Sequence, residues 1–132
     1  MQLVDTNIFL ELELNQEKSE KCIQFLQKVA KNETQAIITD FSVDAICILM
    51  QNKGKNPKDI RQFLVSLLAF KGMKIYFTTI FDKILSTSLM EKHGLDFDDA
   101  LILQAMHSNN IKEIVSFDKD FDKIKGIKRI VP

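Results

Sequence analysis

Hydrophobic positions along the chain alternate between short apolar runs and stretches with a helical period. Leu3-Val4 is a short apolar run that ends at Asp5. A helical stretch follows from about Ile8 to Leu14. Asn15 reads as the N-cap of a second helix through Lys31, in which Cys22, Ile23, Phe25, Leu26 and Val29 recur at helical spacing. Ala36 to Thr39 is a β-rich run ending at Asp40, and Phe41 to Gln51 is again helical, with Val43, Ile46, Cys47 and Met50 on one face. Gly54 closes that helix, and Asn56-Pro57 caps and opens the next, through about Phe70. Lys74 to Phe77 forms a third strand. Thr79 with Asp82 has the spacing of a capping box for a helix to His93, which Gly94 stops. Asp98 to Ser108 is a further helix, Glu113 to Phe117 a fourth strand, and Arg129 to Val131 a short fifth.

Strands that alternate with helices imply right-handed crossovers and a mostly parallel sheet of four to five strands, covered on both faces. The chain is therefore of the α/β class, and its 132 residues fit a single domain, 1–132. In open parallel sheets ligands bind at the carboxyl ends of the strands. No GxGxxG and no Walker lysine loop occurs, so a dinucleotide or P-loop site has no support.

Composition narrows the class further. Apolar residues make up 45%, which suits a packed core, and 18 basic residues balance 18 acidic ones. A net charge of zero excludes a strongly basic nucleic-acid coat protein. It conceals a division, however. The stretch from Asp96 to Asp122 holds six of the eleven aspartates. Gln51 to Lys74 holds six cations, Lys53, Lys55, Lys58, Arg61, Lys71 and Lys74, against Asp59 alone. Cys22 and Cys47 lie in helical patterns and read as small buried hydrophobes, too few for a disulfide scaffold. No run approaches a membrane span and the N-terminus lacks a basic leader, so the expected compartment is the cytoplasm.

The acids carry the candidate chemistry. Asp5, Asp40 and Asp118 each follow a strand, and Asp98-Asp99 opens the helix leading to the fourth strand. A parallel sheet brings these ends to one edge. Clustered carboxylates repel in a low-dielectric cleft, and a divalent cation relieves that cost. Hard oxygen ligands suit Mg²⁺ or Mn²⁺. With His93 and His107 as the two histidines and no zinc-type cysteine spacing, a zinc site is not expected. His93 reads as a helix-end cation and His107 as a surface or packing residue.

Three segments resemble, in order and in spacing, the PIN domain family: Val4-Asp-Thr-Asn-Ile-Phe9, Phe97-Asp-Asp-Ala-Leu-Ile-Leu103 and Ile114-Val-Ser-Phe-Asp-Lys-Asp-Phe121. The resemblance spans nearly the whole chain. It implies a three-layer α/β/α sandwich and a Mg²⁺- or Mn²⁺-dependent endoribonuclease, of the kind that serves as the VapC toxin of a toxin–antitoxin pair. Carried over by position, Asp5, Asp99 and Asp118 match family acids and are the expected catalytic and metal-holding residues. Thr6, Asn7, Asp98 and Asp120 are expected in support. The family places a further Glu on the helix after the second strand, near position 45 or 46. Here these are Ala45 and Ile46, and no Glu occurs from Thr34 to Met90. Asp40 or Asp44 is the expected substitute.

The expected partner is single-stranded or structured RNA, with Lys53, Lys55, Lys58 and Arg61 as candidate phosphate contacts. A small antitoxin protein and a homodimer are also expected. The apolar surplus of Phe63, Leu64, Leu67, Leu68 and Phe70 would serve either the core or such an interface. Two other readings stand beside the nuclease. A degenerate domain would bind RNA or protein without cutting. A haloacid-dehalogenase-type phosphatase would need an Asp two residues after Asp5, where Asn7 stands.

Overall fold

The computed structural model describes residues 1–132. Five strands, β1 (Gln2–Val4), β2 (Ala36–Thr39), β3 (Met73–Tyr76), β4 (Glu113–Val115) and β5 (Lys128–Ile130), form one sheet in the order β3-β2-β1-β4-β5. Every pairing is parallel. Six helices connect them: α1 (Thr6–Glu13), α2 (Ser19–Ala30), α3 (Asp40–Asn52), α4 (Pro57–Ala69), α5 (Ile80–His93) and α6 (Phe97–Ser108).

Alternation along the strands sorts the core into two layers. Val4, Ala36, Ile38 and Val115 face one side. There they pack with Ile8 and Phe9 of α1, Cys22, Leu26 and Val29 of α2, Ile46 and Met50 of α3, and Phe63 and Leu67 of α4. Leu3, Ile37 and Ile114 face the other side, against Ile102, Ala105 and Met106 of α6. Helix α5 packs on α6 through Leu89 and Met90, beside Leu95, Ala100 and Leu103. The result is a three-layer α/β/α sandwich. No helix is long and apolar enough to cross a membrane.

Both predicted capping signals form. Asn56 with Asp59 closes a capping box at α4, Thr79 with Asp82 closes one at α5, and Gly94 ends α5 in the left-handed region at φ 64°. The start of α2 differs from the expectation. Asn15 does not cap it but takes a left-handed turn, φ 49°, three residues after Leu12, whose carbonyl it caps. Asn tolerates that conformation better than other non-glycine residues. Helix α2 begins at Ser19, and the Lys18 amide is held by the Glu11 carboxylate at 2.9 Å.

Strand order positions the site. The chain leaves β1 for β2 and β3 on one side, then crosses to β4 and β5 on the other, so a crevice opens where the direction of winding reverses. Asp5 follows β1 and Asp118 follows β4, at the carboxyl end of that crevice.

Candidate functional site

A cleft of about 220 Å³ opens at this edge, lined by Asp5, Thr6, Asn7 and Leu10 from the β1–α1 segment, Phe41, Ser42, Ala45 and Leu49 from α3, Asp98, Asp99 and Ile102 from α6, and Asp118. The structure thus brings Asp5, Thr6, Asn7, Asp98, Asp99 and Asp118 together. Asp120 joins them from the 3-10 helix Lys119–Lys123, its carboxylate oxygen lying with those of Asp99 and Asp118 within 4.8 Å of one another. Carboxylate oxygens of Asp96, Asp98 and Asp99 lie equally close to one another.

Each carboxylate is held by local structure. Asp5 caps α1: the Thr6 amide donates to its Oδ1 at 2.7 Å. The Ser116 hydroxyl donates to its Oδ2 at 2.5 Å. The Ser116 Oγ also accepts the Asp118 amide at 2.9 Å, so one buried hydroxyl fixes the acid after β1 against the acid after β4. Asp118 in turn caps the 3-10 helix, accepting the Asp120 amide at 2.9 Å. The Arg129 guanidinium braces this corner. It holds both oxygens of Asp122, at 2.7 and 2.9 Å, and donates to the Ser116 carbonyl at 3.2 Å. Neither Ser116 nor Arg129 was singled out by the sequence motifs. The available signal was a lone hydroxyl inside the apolar run Ile114-Val-Ser-Phe117.

The cluster is electrostatically strained. Burial pushes the Asp5 carboxyl above the ordinary range; its hydrogen bonds with Ser116 and Thr6 oppose that, and the nearby Asp118 and Asp98 add to it. Asp99 is pushed up to about 7, first by burial and then by Asp98, Asp118, Asp5 and Asp96. No basic side chain lines the cleft to neutralise these acids.

The donor set fits a hard divalent cation. Carboxylate oxygens of Asp99, Asp118 and Asp120, from α6 and the segment after β4, stand close enough to share one ion, Asp5 lines the same cleft, and the amide oxygen of Asn7 is buried there without a hydrogen-bond partner. Asp5, Asp99 and Asp118 would hold the ion, with Asp120, Asp98 and Asn7 around it.

The expected substitute for the family's further acid does not reach the cleft. Asp40 turns toward the end of β3, where its Oδ1 accepts both the amide and the hydroxyl of Thr78 at 2.9 Å. Asp44 is exposed on the outer side of α3. One residue along a helix is a rotation of about 100°, and Ala45 is the residue that faces the cleft. The α3 wall therefore carries no carboxylate. The basic residues also lie elsewhere. Lys55 and Arg61 line a separate groove with Gln51, Pro57, Ile60 and Leu64 at the far end of α3, and neither they nor Lys53 and Lys58 reach the acids.

Of the apolar surplus on α4, Phe63 and Leu67 enter the core and Phe70 packs at its edge, whereas Leu64 and Leu68 are exposed. Cys22 is buried in the core and Cys47 packs against it, both as free thiols.

Solved structures share this architecture. The sarcin–ricin-loop-cleaving toxin VapC20 of Mycobacterium tuberculosis superposes with a TM-score of 0.81 at 15% identity, covering 100% of both chains. A toxin–antitoxin complex from Klebsiella pneumoniae gives 0.73 at 17% identity, covering 97% of this chain and 96% of that one. VapBC2 of Rickettsia felis, bound to a DNA fragment of its promoter, gives 0.72 at 17% identity, covering 98% and 97%. At these identities the likeness is one of fold. Among curated proteins no sequence matches the chain significantly. The family model for the PIN domain matches residues 3–127, and on that match the chain belongs to the PIN domain family.

Proposed function

We propose that this protein is a metal-dependent endoribonuclease, acting in the cytoplasm as the toxin of a toxin–antitoxin pair. The observation that carries the proposal is the convergence of Asp5, Asp99 and Asp118 from three segments into one cleft that holds no compensating cation. Structural likeness to toxins, one of which cleaves the sarcin–ricin loop, supports RNA as the substrate class. Mg²⁺ or Mn²⁺ suits the all-oxygen donor set.

When bound, such an ion would lower the pKa of water, polarise the phosphoryl oxygen and stabilise the leaving oxygen. The protein's own part is placement. Asp5, held on both oxygens by Thr6 and Ser116, is the fixed ligand. Asp118, whose amide is tied to the same Ser116, follows its position. Asp99, whose carboxyl burial and the neighbouring acids push up to about 7, would hold the ion as the carboxylate and so would give up a proton near neutral pH. Asn7 supplies a neutral oxygen for the ion or for an attacking water.

Exposed apolar side chains support protein partners. Leu64, Val65 and Leu68 lie on α4, and Phe77, Ile80, Phe81, Ile84 and Leu85 form a second patch along the start of α5. Surfaces of this kind suit a homodimer and an antitoxin segment. The second reading, an RNA- or protein-binding domain that does not cut, is favoured by Ala45, which leaves the α3 wall without an acid. Incubation of purified protein with single-stranded and hairpin RNA separates the two. The nuclease cuts in Mn²⁺ or Mg²⁺ and stops in EDTA, and Asp5→Asn lowers the rate by roughly a thousandfold. Binding without any metal-dependent cleavage supports the second reading instead.

A further inference from the structure

The cleft has two walls of opposite chemistry. The strand ends and the start of α6 contribute Asp5, Asp98, Asp99 and Asp118, whereas α3 contributes the apolar Phe41, Ala45 and Leu49; Leu10 of α1 and Ile102 of α6 also line the cleft. A nucleotide whose phosphate faces the acids through a cation can lay its base or sugar against the α3 side of the cleft. Phe41 is the aromatic residue among those lining the cleft. Its ring is half-buried and stands edge-to-face with Phe97, with centroids 6.1 Å apart and planes at 83°. Phe97 opens α6 directly before Asp98-Asp99, so the helix end that carries the acids also fixes the ring. Ala45 lies one turn along the same face of α3 and lines the cleft beside Phe41 with a side chain too small to fill it.

We propose that Phe41 is a nucleobase platform, on which an unpaired base next to the scissile phosphate stacks. The proposal rests on the nuclease reading and adds the subsite that receives the base. The same wall offers little hydrogen-bond readout. The Ser42 hydroxyl is buried, and it accepts from the Thr39 hydroxyl at 3.0 Å. The Ser42 amide donates to that same Thr39 oxygen at 3.0 Å. Stacking is available to every base because each has a π-face. Phe41 therefore contributes affinity for unpaired nucleotides with little preference among the four bases.

The chain contains no tryptophan, so Phe41→Trp places a single tryptophan reporter, excited selectively beside the one tyrosine, at the subsite. The probes are a labelled single-stranded RNA and the same strand with abasic positions, titrated in Ca²⁺ against wild type, Phe41→Ala, Phe41→Leu and Phe41→Trp. Phe41→Leu keeps apolar bulk without a π-face, which guards against loss of folding in Phe41→Ala. Both are expected to weaken binding of the intact strand about tenfold and of the abasic strand less than twofold. Phe41→Trp is expected to retain affinity and to be quenched by the intact strand alone. Wild-type-like affinity in Phe41→Leu, equal losses on both strands, or equal quenching by both would overturn the proposal and leave the nuclease reading intact. A wild type that neither binds nor cuts RNA overturns both.

Discussion

Asp82 and Asp99 are both aspartates drawn in from solvent, on adjacent helices, and they end in opposite electrostatic states. Asp82 is buried, at 4% exposure, and burial alone would raise its pKa. Hydrogen bonds outweigh that: the Thr79 amide at 2.9 Å, the Tyr76 hydroxyl at 2.8 Å and the Ser108 hydroxyl at 3.0 Å all donate to it, and its carboxyl sits below the ordinary range. Asp99 is less buried, yet the charged groups acting on it are other carboxylates, and it is pushed up to about 7. A charge surrounded by donors is complete within the fold, and it ties β3, α5 and α6 together. A charge surrounded by like charges is not complete, and it is relieved either by keeping its proton or by binding a cation. The contrast separates an acid satisfied within the fold from a candidate cation ligand without reference to any motif.

Substitutions at the two sites should therefore fail differently. The largest effect is expected at the cleft acids: Asp99→Asn should reduce metal-dependent cleavage by roughly a thousandfold while the protein remains folded, as circular dichroism would check. Ser116→Ala removes the hydroxyl shared by Asp5 and Asp118, and should weaken Mn²⁺ binding by about 10- to 100-fold, read by calorimetry. At Asp82 the loss falls on stability. Asp82→Ala leaves the Tyr76 and Ser108 hydroxyls and the Thr79 amide without their acceptor, and should cost about 3 kcal/mol in urea unfolding with the activity of the folded fraction unchanged.

The smallest effect carries a definite sign. The folded-state pKa of Asp99 lies above its ordinary value, so the metal-free native state binds more protons than the unfolded chain between about pH 4 and 7. Its contribution to stability is present below that window and lost as pH rises through it. Asp99→Asn should remove this slope. At pH 8 without metal it should raise the melting temperature by about 3–6 °C, on roughly 1 kcal/mol after discounting for solvent at a half-exposed site. An unchanged or lowered melting temperature would erase the contrast with Asp82.

Features that depend on local chemistry were readable from the chain itself. The strands β1, β2 and β4 stand out as apolar runs, and the Asn56 cap and the Thr79–Asp82 box are short-range signals that formed as read. Parallel topology then places acids that follow strands at one edge, which is why Asp5 and Asp118 meet across 113 residues. What could not be read depends on direction and distance. Asp40, Asp44 and Ala45 are near neighbours in sequence, and helical rotation alone decides that Ala45 faces the cleft. Ser116 gains its role from a partner 111 residues away. The basic stretch from Lys53 to Arg61 is dense in sequence, but the length of α3 carries it away from the acids.

Calorimetric titration of Mn²⁺ into the metal-free protein at pH 7, repeated in buffers of different ionisation enthalpy, tests most directly that these acids form a cation site. Wild type should bind with net release of protons, because Asp99 must give up its proton. Asp82→Asn should bind with wild-type affinity, and Asp99→Asn and Asp5→Asn should lose binding. Absence of Mn²⁺ binding to the wild type, or equal loss in Asp82→Asn and Asp99→Asn, would contradict the assignment of the cleft as a metal centre.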